Sequence, residues 1–195
     1  MKKELNTKLL KWINEPKYYV IDASKVIIGT EPYTNLWHNT NGNQIFNSAH
    51  CLVFDIQRDF TFTVKVEYHF NKRLDQCGIL LMKDEHNYLK VDIEHKNEEI
   101  SFLTSTLTLN AYSDMASGNL ANGIETMYFR LSRRDNDFLV ENSYDGKKFK
   151  RMRICHLDGT NFKLGIYACS PLDSSFDAIF QNLYLEECIW KKGDL

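Results

Sequence analysis

"FTVKVEYHFNKRLDQCGILLMKDEHNYLKVDIEHKNEEISFLTS", residues 62–105, alternates apolar and polar side chains almost without interruption. Successive side chains of a strand point to opposite faces, so a two-residue period marks a sheet with unlike faces. Within 87–95, Leu89, Val91 and Ile93 point one way, and Tyr88, Lys90, Asp92 and Glu94 point the other. Within 76–83, Cys77, Ile79 and Leu81 form the apolar set, opposite Gln76, Gly78, Leu80 and Met82. A polar loop, "KDEHN" (83–87), joins the two segments.

The pattern extends in both directions. Strands are expected at 18–22, 25–29, 45–47, 51–55, 61–70, 76–83, 87–95, 99–109, 126–133, 137–144, 148–156, 161–168 and 176–186, each bounded by Gly, Asn, Asp or Pro. "SYDGKKF" sets Asp145-Gly146 between alternating segments, a strong hairpin signal. Helical spacing occurs only in residues 3–13, through Leu5, Leu9, Leu10 and Ile13, before Pro16. The expectation is an all-β chain, a jelly-roll β-sandwich of two antiparallel sheets with a short N-terminal helix.

The 195 residues, 43% apolar and 13% aromatic with three prolines, suit one domain over 1–195 with a sizeable core. A formal charge of −2 gives no pull towards nucleic acid or an anionic membrane, so neither is expected as a partner. "MKKELNTKLLKWINEP" has no uninterrupted apolar core of a secretory signal, and no apolar run spans a bilayer; a cytoplasmic location is expected. Cys51, Cys77, Cys155, Cys169 and Cys188 are scattered without a CxxC pair, which suits reduced, buried thiols. No metal is expected, since the histidines at 38, 50, 69, 86, 95 and 156 form no HxH or HExxH. Nucleotide and nucleophile-elbow fingerprints are missing too, and no cofactor is expected.

Segment 126–133 turns Phe129 and Leu131 inward and Tyr128, Arg130 and Ser132 outward. If it shares a sheet with 76–83 and 87–95, one face collects Gln76, Tyr88, Lys90, Glu94 and Arg130. Such a surface offers amide and cationic donors and a carboxylate acceptor to the hydroxyls of a polyol. The alternative is a cross-strand charge ladder of Lys90, Glu94 and Arg130, worth about 0.2–1 kcal/mol per pair. Trp37 lies in a polar segment, where its ring either stacks on a ligand or plugs the core under a loop. Tyr112, Ser113 and Asp114 are expected in a loop beside the same face. Asp92 and Glu94, two residues apart on one strand face, have Cα atoms roughly 6.6 Å apart. Their carboxyl groups could reach either glycosidase separation, so both are candidates for catalysis.

"NLWHNTNG" (35–42), "DQCGILLMKDEHNYLKVDIEH" (75–95), "NAYSDM" (110–115), "FRLSRRDNDFLVENSYDGKKF" (129–149) and "GIYACSP" (165–171) resemble the DUF1349 family. The resemblance runs from about residue 33 to 186 and implies the fold of the concanavalin A-like lectin/glucanase superfamily. Cys77, Tyr88, Asp92, Met115 and Phe149 depart from the family pattern; Tyr88, Met115 and Phe149 stand where it has tryptophan. The family is also similar to accessory sandwich domains of some β-xylosidases and fructosidases, which implies a carbohydrate setting. The function expected is therefore non-catalytic binding of a saccharide or sugar-like metabolite through Trp37, Gln76, Tyr88, Lys90, Glu94, Asp114 and Arg130. The alternatives are a glycoside hydrolase-like enzyme using Asp92 and Glu94, or a regulatory module that binds a protein partner.

Overall fold

A computed structural model describes residues 3–38, 44–191 and 193; the end of the "NLWHNTNG" segment, 39–42, lies outside them. In chain order the strands are β1 (Lys3–Glu4), β2 (Lys11–Ile13), β3 (Tyr18–Ile21), β4 (Lys25–Gly29), β5 (Leu36–His38) and β6 (Ile45–Asn47). Then come β7 (His50–Ile56), β8 (Phe60–Tyr68), β9 (Gln76–Asp84), β10 (Asn87–His95), β11 (Ile100–Leu109) and β12 (Tyr112–Ala121). The last are β13 (Thr126–Arg134), β14 (Asp137–Ser143), β15 (Lys150–His156), β16 (Phe162–Cys169) and β17 (Asp177–Glu186).

Fifteen of these strands build two antiparallel sheets, and β5 pairs with β6 apart from them. The first runs β15-β14-β13-β8-β17-β4-β3, with β1 beside β17; the second runs β12-β11-β10-β9-β16-β7-β2. Period-two burial holds them face to face. Phe62, Val64 and Val66 of β8 and Phe129 and Leu131 of β13 share one core with Ile79, Leu81, Leu89, Val91 and Ile93 of the second sheet. Each of these is at most 1% exposed, and each contributes about 1.5–3 kcal/mol by leaving water. No helix among the described residues is long and apolar enough to cross a membrane.

The N-terminal helix is not formed. Residues 3–13 hold β1, a 3-10 turn at Thr7–Leu9 and β2. An isolated helix of that length is marginal in water, whereas both sheets offer this segment a pairing edge. Lys3 and Glu4 pair with Leu185 and Tyr184, and Lys11, Trp12 and Ile13 pair with Val53, Leu52 and Cys51. Leu5, Leu10 and Trp12 pack on the core from these positions, while Leu9 is left 62% exposed. Tyr112, Ser113 and Asp114 are likewise not in a loop. Asn110 and Ala111, at φ of 50° and 66°, make the turn, and residues 112–114 already belong to β12.

The expected turns form. Asp84 Oδ1 accepts from His86 N at 2.9 Å, so β9 and β10 are joined through Glu85 and His86 alone. Gly146 has a φ of 68°, and the Asp145 carboxylate accepts from the backbone N of Lys147 and Lys148.

A second apolar cluster lies on the far side of the second sheet. Leu36, Cys51, Val53, Leu80, Met82, Tyr88, Tyr167 and Cys169 pack together there. The chain around β5 covers them: Asn35 O accepts from Ser48 N and Ala49 N, and Thr34 N donates to Ser170 O at 3.1 Å. Part of this outer face is thus roofed rather than solvated.

Candidate functional site

β10 carries Tyr88, Lys90, Asp92 and Glu94 onto the roofed face. Lys90 stands between Leu80 of β9 and Thr106 of β11, Asp92 between Gly78 and Thr104, and Glu94 between Gln76 and Phe102. Gly78 is required where it is. A Cβ there would fall 1.9 Å from Val91 O, so only glycine lets β9 and β10 approach this closely. Between the same two strands Lys90 Nζ donates to Gln76 Oε1 at 2.5 Å. Gln76 Oε1 also accepts from the Tyr167 hydroxyl at 3.3 Å, and Gln76 Nε2 donates to Leu74 O at 3.1 Å. The ammonium lies 5.9 Å from the Trp37 ring centroid and 5.7 Å from that of Tyr167.

A pocket of about 250 Å³ opens over this cluster, lined by Trp37, Gln76, Lys90, Glu94, Met115 and Pro171 among others. Its floor is buried and polar: Gln76 and Lys90 are each 3% exposed. Behind them Asp92 is fully buried, with Oδ2 accepting from Thr104 Oγ1 at 2.6 Å. Asp92 Oδ1 and the neighbouring Thr106 Oγ1 have no hydrogen-bond partner among the described residues.

Electrostatics sets Glu94 apart from an ordinary carboxyl. Burial, and then repulsion from Asp92, push Glu94 up to about 7, against the opposing pull of Lys90, Lys96 and Arg73. Burial and the charge of Asp92 hold the Tyr167 phenol well above its usual range. Burial also pushes the Cys51 thiol up to about 12 and raises Cys169 further still, so these free thiols are poor nucleophiles.

Four expected residues, Trp37, Gln76, Lys90 and Glu94, therefore line one pocket, and Asp92 lies beneath it. Tyr88 is on the same face but fully buried under the roof, edge-on to His38 with ring centroids 5.6 Å apart. Asp114 pairs with Leu107 and meets Arg153 of the first sheet at 3.3 Å, at the edge of the sandwich. Met115, its neighbour, is the β12 residue that reaches the pocket.

Arg130 is in the other sheet. β13 pairs with β8 and β14, so Arg130 projects from the opposite outer face of the sandwich. There its Nε and Nη2 hold both oxygens of Glu141 at 2.6 and 2.8 Å, and its guanidinium lies 3.9 Å over the Phe149 ring. Strand alternation gives a residue's face but not its sheet, which is why the expected grouping with Lys90 does not form. Tyr167, Met115 and Pro171 were not anticipated as part of the site. Tyr167 and Pro171 lie in "GIYACSP" and Met115 ends "NAYSDM", but no spacing within either segment ties them to 76–94.

These features define a class: a two-sheet β-sandwich with a roofed polar pocket on one outer face. Within it the chain belongs to the family described as "Protein of unknown function (DUF1349)", whose model matches residues 12–188. "Regulation of enolase protein 1" of Saccharomyces cerevisiae is 27% identical over 161 residues, covering 82% of this chain and 80% of the yeast protein. A solved structure of a functionally unknown protein from Saccharomyces cerevisiae superposes with a TM-score of 0.89 at 24% identity, covering 95% of this chain and all of that one. Carbohydrate binding module CBM66 from Bacillus subtilis superposes at 0.58 with 11% identity, covering 90% of this chain and 95% of the module. The last two similarities bear on fold alone.

Proposed function

We propose that this protein binds a saccharide or similar polyol without turning it over, in the pocket over Gln76, Lys90 and Glu94 on the concave face of a concanavalin A-like jelly roll. The observation that carries this reading is a buried amide and ammonium opening, beside the Glu94 carboxyl, into a cavity walled by the Trp37 ring. Lys90 and Gln76 fix hydroxyl oxygens, Glu94 exchanges hydrogen bonds with hydroxyls, and Trp37 covers the apolar face of a sugar ring. A module named for carbohydrate binding shares the fold, and the proposed ligand class agrees with that name.

The test is a thermal-shift screen of the protein against mono- and oligosaccharides, sugar acids and sugar phosphates, with Glu94→Gln alongside. A ligand of the folded state raises Tm by mass action. A hit of millimolar to micromolar affinity that weakens in Glu94→Gln supports the reading. A flat screen at many millimolar ligand overturns it and favours a protein partner, to which the yeast relative's name also points. A glycoside-processing reading draws on Glu94 holding a proton near neutrality beside Asp92. It requires turnover of a glycoside, and an Asp92→Asn variant with full turnover would remove it.

A further inference from the structure

Lys90 is 3% exposed, yet among the described residues no carboxylate forms an ion pair with it, and the one hydrogen-bond acceptor it reaches is the neutral Gln76 amide. An ammonium has three donors, and a buried charge ordinarily finds an opposite charge. The carboxylate behind it, Asp92, turns one oxygen to Thr104 and is not within ion-pair distance of Lys90. Lys90 thus reaches the pocket wall with donors to spare and no direct counter-ion among the described residues.

Resting on the saccharide reading above, we infer that the preferred ligand is a sugar acid, whose carboxylate docks on Lys90 beside Glu94, with Trp37 over the ring. The pocket suits a single sugar unit, being smaller than the ~300–1,000 Å³ of drug-sized sites. One buried cation matches a monoanion. A phosphate dianion is better served by arginine forks, and no arginine is among the described residues that line the pocket.

The geometry couples binding to protons. Glu94 faces Asp92 and Lys90 on its own strand, with Arg73 before β9 and Lys96 after β10 also acting on it; its cross-strand neighbours Gln76 and Phe102 are uncharged. A ligand carboxylate, ionised above a pKa of about 3.5, keeps its charge while Glu94 gains a proton. Acid-sugar binding therefore strengthens as pH falls through about 7.

The experiment is titration calorimetry of the full chain with glucuronate and galacturonate against glucose and galactose, at matched ionic strength, at about pH 6 and about pH 8. A charge-assisted bond in place of a neutral one gives the acid an advantage of about tenfold in affinity. That advantage should be largest at the lower pH, disappear in Lys90→Met and lose its pH dependence in Glu94→Gln. Neutral sugars binding as tightly as their acids in the unmodified protein would overturn the inference and leave saccharide binding standing. If neither acids nor neutral sugars bind, both fall.

Discussion

Lys90 Nζ and Gln76 Oε1, on adjacent strands, lie 2.5 Å apart, and each side chain is 3% exposed. A buried ammonium is thus held by a neutral amide, which the Tyr167 hydroxyl also reaches at 3.3 Å. Leucine at position 76 removes the acceptor at similar volume and leaves Lys90 without a hydrogen bond. Gln76→Leu is expected to cost about 1–3 kcal/mol and Tyr167→Phe about 0.5–1.5 kcal/mol. Urea denaturation of the two variants checks the order; a larger loss in Tyr167→Phe would show that the amide is not what steadies the ammonium.

Gly78 and Gly118 both lie in strands of the second sheet but differ in surroundings. A Cβ at Gly78 meets Val91 O at 1.9 Å, whereas one at Gly118 meets nothing within 4 Å. Gly78→Ala must push β9 and β10 apart beneath the pocket. It should cost about 3 kcal/mol or more, and Gly118→Ala should stay within about 0.5 kcal/mol of the parent. Equal unfolding midpoints for the two would show that the strands can separate there at little cost.

The contrast between these strands also explains what the sequence made legible. β9 and β10 are buried on one side by the core and half-roofed on the other, so their alternation is regular, and Leu89, Val91, Ile93, Cys77, Ile79 and Leu81 all face the core as expected. β12 is an edge strand whose residues are mostly exposed on both faces, so "YSDMASGNLA" shows no period to read. Residues 3–13 carried helical spacing, but two sheet edges pair with that segment instead. The pocket was half legible. Gln76, Lys90 and Glu94 share one patterned hairpin, whereas Trp37 arrives on a three-residue strand and Tyr167 through β16, contacts set by the long-range fold. Arg130 shows the same limit, since nothing in its alternation says that the chain crosses to the other sheet between β12 and β13.

Glu94 gives stability a pH dependence. Its folded pKa of about 7 lies above its ordinary 4.5, so between those values the folded chain keeps a proton that the unfolded chain has released. This contribution is fully present below about 4.5, declines as pH rises through about 7 and is then flat. His156, raised by Asp137 and Asp158, slopes the same way, so the informative quantity is the difference between parent and Glu94→Gln. Tm of the parent should fall relative to Glu94→Gln on going from about pH 5 to about pH 8. Parallel profiles would mean that Glu94 titrates as an ordinary surface carboxyl.

Arg130 is expected to act on stability and not on saccharide binding. Its bidentate pair with Glu141 is mostly covered, with side chains 21% and 12% exposed, and the guanidinium also stacks on Phe149. Truncation strands Glu141 and uncovers the ring, so Arg130→Ala should cost about 1–3 kcal/mol, between the values for exposed and buried pairs. Arg130→Lys should recover only part of this, because an ammonium can neither span both oxygens nor stack as a plane. The pocket over Lys90 lies beyond two sheets about 10 Å apart, so saccharide affinity should be unchanged in both variants, as read by calorimetry on protein that melts cooperatively. Weakened binding with stability intact would instead place a ligand in the groove of about 480 Å³ formed by Arg130, Phe149, Arg151 and Trp190.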